Sequence, residues 1–286
     1  MDGQAPSFLS VRMDYSDYAA IYDAEYAGYD DDVAFYLEWA QKAHPPALEL
    51  GCGTGRILLP LADNGVEMWG LDSCSAMLER ARAKLSSRPL ETRQRVTLVE
   101  QDMTSFRLNR KFGLIYLPFR EFMHLTRVDQ QLACLHAIRR HLRSDGRLLI
   151  NVYDVDLVTL VHSRQAADPV LYRQPGGDYL DEQGRQVLLS SASRYDPEQQ
   201  CLFEERFYET IGPGGQILER RFVRLSQRWF FRWEMVHLLS RSGFKVEQLL
   251  GGYFGERYSG LGQEMIFVAR LRPRRNWSSV GSTVRS

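Results

Sequence analysis

The sequence predicts an α/β fold: a doubly wound, mostly parallel seven-stranded sheet with an antiparallel β meander inserted late in the chain as a lid. Three observations carry this. Short apolar strands alternate with amphipathic helices between Ala47 and Tyr153, the pattern of repeated strand–helix–strand units. The first strand runs into a glycine-rich turn, Gly51-Cys52-Gly53-Thr54-Gly55, and the second ends in an acid, Asp72. After Asp154 the texture changes to two-residue alternation broken by turn signals, before a helix and two strands return.

The elements follow in order. Val33 to Ala43 has the spacing of an amphipathic helix and is stopped by Pro45-Pro46. Ala47–Leu50 is the first strand, Arg56–Asn64 a helix closed by Gly65, and Glu67–Leu71 the second strand. Ser75–Leu85 is a helix with an apolar stripe of Met77, Leu78, Ala81 and Leu85. Val96–Glu100 and Phe112–Leu117 are the third and fourth strands. Thr126, with Asp129 three residues on, reads as the cap of a helix to Leu142 whose inner face is Val128, Leu132, Leu135, Ile138 and Leu142. Ser144-Asp145-Gly146 turns the chain into a fifth strand, Leu148–Tyr153. The meander comprises Val187–Tyr195, Leu202–Ile211 and Ile217–Arg228, with turns at Asp196-Pro197 and Gly212-Pro213-Gly214-Gly215. Helix Trp233–Ser242 and strands Lys245–Leu250 and Gln263–Arg270 complete the sheet. The expected organisation is a flexible start (1–14), one domain (15–271) with a cap inserted at 154–230, and a flexible basic tail (272–286).

Composition narrows the class. Lysine plus arginine and aspartate plus glutamate number 36 each, so bulk charge gives no argument for nucleic acid or an anionic membrane. The start is polar and acidic, unlike a secretory signal, and no apolar run reaches membrane-spanning length. Cys52, Cys74, Cys134 and Cys201 are scattered without a C-x-x-C pair, which suggests neither a zinc site nor a disulfide framework and fits a cytoplasmic setting.

The glycine turn selects the ligand. A dinucleotide fingerprint needs G-x-G-x-x-G, whose last glycine lets the helix approach the strand behind a pyrophosphate. Here Arg56 takes that last place. What is left is a tight turn, suited to a compact ligand without phosphate. The string Glu49-Leu50-Gly51-Cys52-Gly53-Thr54-Gly55 resembles the first motif of the class I S-adenosylmethionine-dependent methyltransferases, which share a Rossmann-like sheet. The resemblance continues through Gly70-Leu71-Asp72-Ser73, Met77-Leu78, Gln101-Asp102-Met103, Leu117-Pro118-Phe119 and Leu142-Arg143-Ser144-Asp145-Gly146-Arg147.

That resemblance implies S-adenosylmethionine as methyl donor and S-adenosylhomocysteine as product. It implies that Asp72 accepts hydrogen bonds from the ribose hydroxyls, a role suited to a carboxylate. Asp102 faces the adenine amino group and Met103 packs on the ring. Gly51, Cys52, Gly53 and Gly55 line the methionine moiety, Glu49 holds its ammonium, and Ser73, Met77 and Pro118 complete the cofactor site.

The fourth strand ends in Leu117-Pro118-Phe119-Arg120-Glu121-Phe122-Met123-His124. This departs from the Asn/Asp-Pro-Pro-Tyr/Phe pattern of enzymes that methylate planar amides or nucleic-acid adenine, so nucleic acid is not the expected partner. His124, and Tyr22-Asp23-x-x-Tyr26 near the start, are similar to features of small-molecule N-methyltransferases, including sugar-amine dimethyltransferases and glycine methyltransferases. The expected catalytic residues are therefore Tyr22, over the sulfonium region, and His124, which binds the acceptor or takes its proton. The spacing of Tyr15, Tyr18, Tyr22 and Tyr26 also fits one buried helix face. Tyr195, Phe203, Phe207, Tyr208, Trp229 and Phe230, with Arg194, Arg206 and Arg228, give the meander the composition of a mixed aromatic and basic lid. An edge of its sheet could also pair two subunits as a homodimer. The expected activity is methyl transfer to a nitrogen or oxygen of a small molecule. The alternatives are a non-catalytic protein that binds S-adenosylmethionine and an NAD(P)-dependent oxidoreductase.

Overall fold

A computed structural model describes residues 15–155, 158, 160–161, 171–173, 177–260 and 264–273. In chain order its elements begin with α1 (Tyr15–Glu25), α2 (Val33–Lys42), β1 (Ala47–Leu50), α3 (Leu58–Asp63), β2 (Met68–Asp72), α4 (Ser75–Ser86), α5 (Leu90–Arg95), β3 (Val96–Glu100) and β4 (Phe112–Leu117). A 3-10 turn (Glu121–His124) leads to α6 (Val128–His141) and β5 (Leu142–Tyr153). Then come β6 (Tyr172–Arg173), β7 (Tyr179–Leu180), β8 (Gln186–Asp196), β9 (Cys201–Ile211), β10 (Ile217–Arg228), α7 (Arg232–Arg241), β11 (Phe244–Leu250) and β12 (Glu264–Leu271).

The main sheet has seven strands in the order β11-β12-β5-β4-β1-β2-β3. Strands β1 to β5 pair in parallel, and β12 pairs antiparallel to both β5 and β11. The expected doubly wound, mostly parallel sheet is present. Alternation along the strands feeds two cores. Leu48, Leu50, Ile115 and Leu117 pack towards α6 and α7, with Leu135, Ile138, Met235 and Leu239. Ala47, Leu114 and Tyr116 pack on the other face, towards α2 and α3, with Tyr36, Leu58 and Leu61. The winding reverses between β1 and β4, and the crevice beyond the carboxyl ends of these two strands is where such sheets bind ligands.

Strands β8, β9 and β10 pair antiparallel in a separate sheet with β6, and β7 also pairs with β8. This is the expected meander, each strand within one residue of its expected bounds. Three local expectations are corrected. The helix after the 3-10 turn starts at Val128, with Gln130 Oε1 accepting from the Arg127 amide (3.2 Å), so Thr126 is not its cap. Its buried face also differs: Val128 is exposed, and Gln131, Cys134, Ala137 and His141 join Leu135 and Ile138 on the buried side. The Ser144-Asp145-Gly146 segment is an irregularity within β5, where the register with β4 shifts between Phe112 and Leu114.

Helix α1 bridges the two sheets. Two acids on this helix, Asp23 and Glu25, do this in opposite directions. Asp23 accepts from Thr54 Oγ1 of the glycine turn (2.5 Å) and from Arg80 and Lys84 of α4 (3.1 and 2.9 Å). Glu25 accepts from Tyr18 (2.9 Å), and from Tyr208 (3.0 Å) and Arg206 (3.3 Å) of β9. The expected flexible start and most of the basic tail lie outside the described residues. Arg272 donates to the Phe244 carbonyl (3.0 Å) and to Ser240 Oγ (2.7 Å). Among the described residues no helix is long and apolar enough to cross a membrane.

Candidate active site

The glycine turn at the end of β1 is built by backbone shape. Gly51, Gly53 and Gly55 adopt φ of 70°, 51° and 79°, which side-chain-bearing residues avoid. The turn is stapled to β2: the amides of Gly51 and Cys52 donate to the Leu71 carbonyl (2.8 and 3.1 Å). Asp72 completes the staple, with Oδ2 accepting from the Gly53 amide and Oδ1 from the Cys74 amide, both at 2.8 Å. Burial pushes the Asp72 carboxyl upward while these amides oppose it. Each oxygen retains acceptor capacity for a ligand hydroxyl.

One cavity of about 650 Å³ opens beyond this turn. Its lining includes Tyr22, Gly51, Gly53, Asp72, Ser73, Met77, Asp102, Met103 and His124, so nine of the residues singled out in the sequence meet in one space. Asp102 is oriented by its own loop, with Oδ1 accepting from the amide and hydroxyl of Thr104, both at 2.7 Å. Four residues named in the sequence are not on the cavity wall. Cys52 is buried, with its sulfur facing Gly70. Gly55 lies against Leu59 and Ala81, Pro118 is buried at the start of the turn after β4, and Glu49 faces the α2 side of the sheet. There Glu49 Oε2 accepts from Tyr116 (2.7 Å), whose ring stacks on Tyr36 at 4.8 Å. Burial raises the Glu49 carboxyl to about 8.

Arg56, at the position where a dinucleotide fingerprint has its last glycine, has a structural role of its own. It donates twice to Asp32 (2.7 Å each) and once to the Tyr29 carbonyl (3.1 Å). It lies over the Phe119 ring (4.9 Å) and hydrogen-bonds the Tyr22 hydroxyl. Asp32 is fully buried. The residue that replaces the fingerprint's last glycine thereby anchors the loop beyond α1 and orients Tyr22.

His124 is reached through the segment after β4. Phe119 and Arg120 take left-handed φ of 49° and 70°, costing about 1–3 kcal/mol each for non-glycine residues. The surroundings fix them. Phe119 packs on Tyr26 and Tyr29. The Arg120 amide donates to Asn151 (3.1 Å), and Glu264 joins the Arg120 guanidinium (2.5 Å) to the Asn151 amide (2.9 Å). Behind this brace the His124 ring is contacted by the Tyr15 hydroxyl at 3.1 and 3.2 Å and by a backbone hydrogen bond with Ser226 of β10. Burial lowers the His124 imidazole to about 4.

Sequence reasoning missed Tyr15 and Glu121, which also line the cavity, and the polar residues Gln101, Thr126 and Gln130. From the meander, Gln199, Cys201, Phe203 and Ser226 reach the wall. The mixed aromatic and basic lid is corrected: of the nine residues named for it, only Phe203 lines the cavity. Arg206 is held by Glu25 and Glu204, Arg228 by Gln200 and Glu234, and Arg194 lies over Phe203.

A glycine turn, an acid at the end of the second strand and another after the third face one cleft at the carboxyl edge of the sheet, where such α/β domains bind ligands. Residues 47–146 match the family described as methyltransferase domain. The chain is similar to cypemycin N-terminal methyltransferase from Streptomyces, at 23% identity over 243 residues, covering 81% of this chain and 87% of that protein. Its fold is similar to that of the CcbJ methyltransferase from Streptomyces caelestis, with a TM-score of 0.75, 22% identity and coverage of 91% of this chain and 98% of that one. It is also similar to CalS10 from Micromonospora echinaspora, an amino pentose methyltransferase solved with S-adenosylmethionine bound, with a TM-score of 0.65, 22% identity and coverage of 90% and 97%. The chain thus has a Rossmann-like methyltransferase fold, with the methyltransferase-domain match lying over residues 47–146.

Proposed function

We propose that the chain is an S-adenosylmethionine-dependent methyltransferase that acts on a nitrogen of a small-molecule amine. The observation that carries this is the continuity of the cavity: Asp72, Asp102 and the glycine turn share one wall-to-wall space with Tyr22 and His124. The methyltransferase-domain match, the N-terminal methyltransferase relative and the amino pentose methyltransferase neighbour support the same reading.

The residues fit this donor. Asp72 offers acceptor sites to a ribose diol, Asp102 and Met103 offer an acceptor and an apolar face to an adenine, and the turn at Gly51 and Gly53 leaves space for a side chain without phosphate. Bound there, S-adenosylmethionine supplies a methyl carbon activated by its sulfonium. The protein contributes orientation and exclusion of water: Tyr22, held by Arg56, and Tyr15, held by His124, close the α1 side of the cavity.

The environment of His124 favours positioning over proton removal. An imidazole lowered to about 4 is neutral at pH 7 and a weak base towards an ammonium. His124→Asn is expected to lower kcat by about 10-fold or more without moving the pH dependence of kcat between 5 and 8. Loss of an ionisation in that range from the variant's pH–rate profile would instead assign the base role to His124. The linked stability has a definite sign. The folded value lies below the ordinary 6.5, so the contribution is full above about 6.5 and is lost as pH falls towards about 4.

The function is tested by transfer of a labelled methyl group from S-adenosylmethionine to a panel of primary and secondary amines, amino sugars included. Labelled N-methyl product that disappears in the Tyr22→Phe, His124→Asn double variant is the expected result. Label found only in oxygen- or carbon-methylated products would overturn the nitrogen assignment.

A further inference from the structure

Within the cavity three acids differ in how far they are already occupied. Asp72 is met by two backbone amides and Asp102 by an amide and a hydroxyl. Glu121, the first residue of the 3-10 turn after β4, lines the same cavity and accepts from no donor among the described residues. Its carboxylate rests against the glycine turn: a Cβ placed on Gly51 would lie 2.5 Å from Glu121 Oε2 and 2.6 Å from Cδ. Burial first, and then the negative charges of Asp72 and Glu49, raise its carboxyl well above the ordinary range. Among the described residues the one lysine or arginine on the cavity wall is Arg127, which is engaged by Asp129 at 3.0 Å through two nitrogens.

A half-buried carboxylate without a counter-charge is costly to keep, and it gains most when a cation reaches it. The proposed donor carries two cationic centres. Its sulfonium has no proton to donate, whereas its α-ammonium has three, like a lysine head group. Asp72 defines the ribose end of the glycine turn, so the amino-acid end falls at Gly51, where Glu121 stands. We propose that Glu121, rather than Glu49, is the carboxylate that holds the amino-acid ammonium of the methyl donor. Glu49 is not on the cavity wall; it lies on the α2 side of the sheet, where its Oε2 accepts from Tyr116. This assignment rests on the donor reading above and adds the residue that fixes the donor's charged end. The left-handed Phe119-Arg120 step and its Asn151–Glu264 brace then serve a definite purpose, which is to hold Glu121 against Gly51.

Calorimetric titration separates the possibilities, using S-adenosylhomocysteine, which keeps the ammonium, and 5′-methylthioadenosine, which lacks the amino acid. Glu121→Gln is expected to weaken S-adenosylhomocysteine by about 10- to 100-fold, the range for a hydrogen bond between charged groups, and to leave 5′-methylthioadenosine within twofold. Glu121→Asp, which keeps the charge on a shorter arm, falls between and gives the same readout if the glutamine variant does not fold. Glu49→Gln leaves both affinities within twofold. Unchanged binding of S-adenosylhomocysteine by Glu121→Gln, equal losses for both ligands, or a selective loss in Glu49→Gln would each overturn the assignment. A wild-type protein that binds neither ligand takes down the donor reading itself, and this assignment with it.

Discussion

Asp72→Ala is expected to weaken binding of S-adenosylhomocysteine by at least about 100-fold, two charge-assisted hydrogen bonds being worth about 1.5–3 kcal/mol each. Two losses combine in this variant. The proposed ribose acceptors disappear, and so does the staple that ties the Gly53 and Cys74 amides across the mouth of the cavity at 2.8 Å. Those amides border the ligand space, so in the variant water replaces the carboxylate and the turn loses its fixed shape. Asp72→Asn keeps one acceptor and converts the other to a donor, so it falls between wild type and alanine. Calorimetry on the three proteins, with urea melts to confirm folding, checks the order. An alanine variant that binds within threefold of wild type would remove Asp72 from the ligand site.

Arg206→Met is the substitution with the largest expected effect on stability. Arg206 sits between Glu25 of α1 and Glu204 of its own strand, at 3.3 and 3.0 Å, with side-chain exposures of 17%, 7% and 9%. Removing the cation leaves two buried carboxylates facing each other, a change that costs about 3–5 kcal/mol. Burial already raises the Glu25 carboxyl, and Arg206 is the largest opposing influence. Without Arg206 the folded-state value rises further above the unfolded one. The variant therefore recovers stability as pH falls and Glu25 takes up a proton, and loses it again as pH rises. Urea denaturation at pH 5 and pH 7.5 checks both magnitude and sign. The effect should reach the ligand, because the same helix carries Tyr15 and Tyr22 to the cavity. A variant as stable as wild type at pH 7.5 would show that α1 does not depend on this clasp.

Much of the scaffold was legible because it is written in local chemistry. β1, β3 and β4 match their expected residues because each is a short, mostly apolar run that a turn or a helix boundary cuts off. The acids at the ends of the second and third strands are legible for the same reason, since strand ends fix where they point. Helix α5 escaped notice because Leu90–Arg95 is nearly all polar, with Thr92 its one buried residue. The buried face of α6 was misjudged because two polar side chains found local partners. Gln131 donates to the Leu125 carbonyl (2.7 Å), and His141 bridges the Ala137 carbonyl (2.7 Å) and the Leu108 amide (2.9 Å). Such satisfaction is invisible to hydropathy.

The ligand half of the cavity was more legible than the acceptor half. Glycine turns and strand-end acids have fixed offsets, whereas Tyr15 and Ser226 meet His124 only because distant segments converge. Glu121 had no signal of its own: an acid after a strand is ordinarily solvated, and only the left-handed step at Phe119 and Arg120 folds it back onto Gly51. The lid arginines misled for the opposite reason. Alternation indicated that they lie on a sheet but not that Arg206 and Arg228 are already held by carboxylates of α1, the meander and α7.

The most direct test of the central claim is calorimetric titration of the wild-type protein with S-adenosylmethionine, S-adenosylhomocysteine and NADH. The predicted result is saturable one-to-one binding of the first two and none of the third. Absence of binding by both S-adenosyl ligands, or saturable binding of NADH, would contradict it.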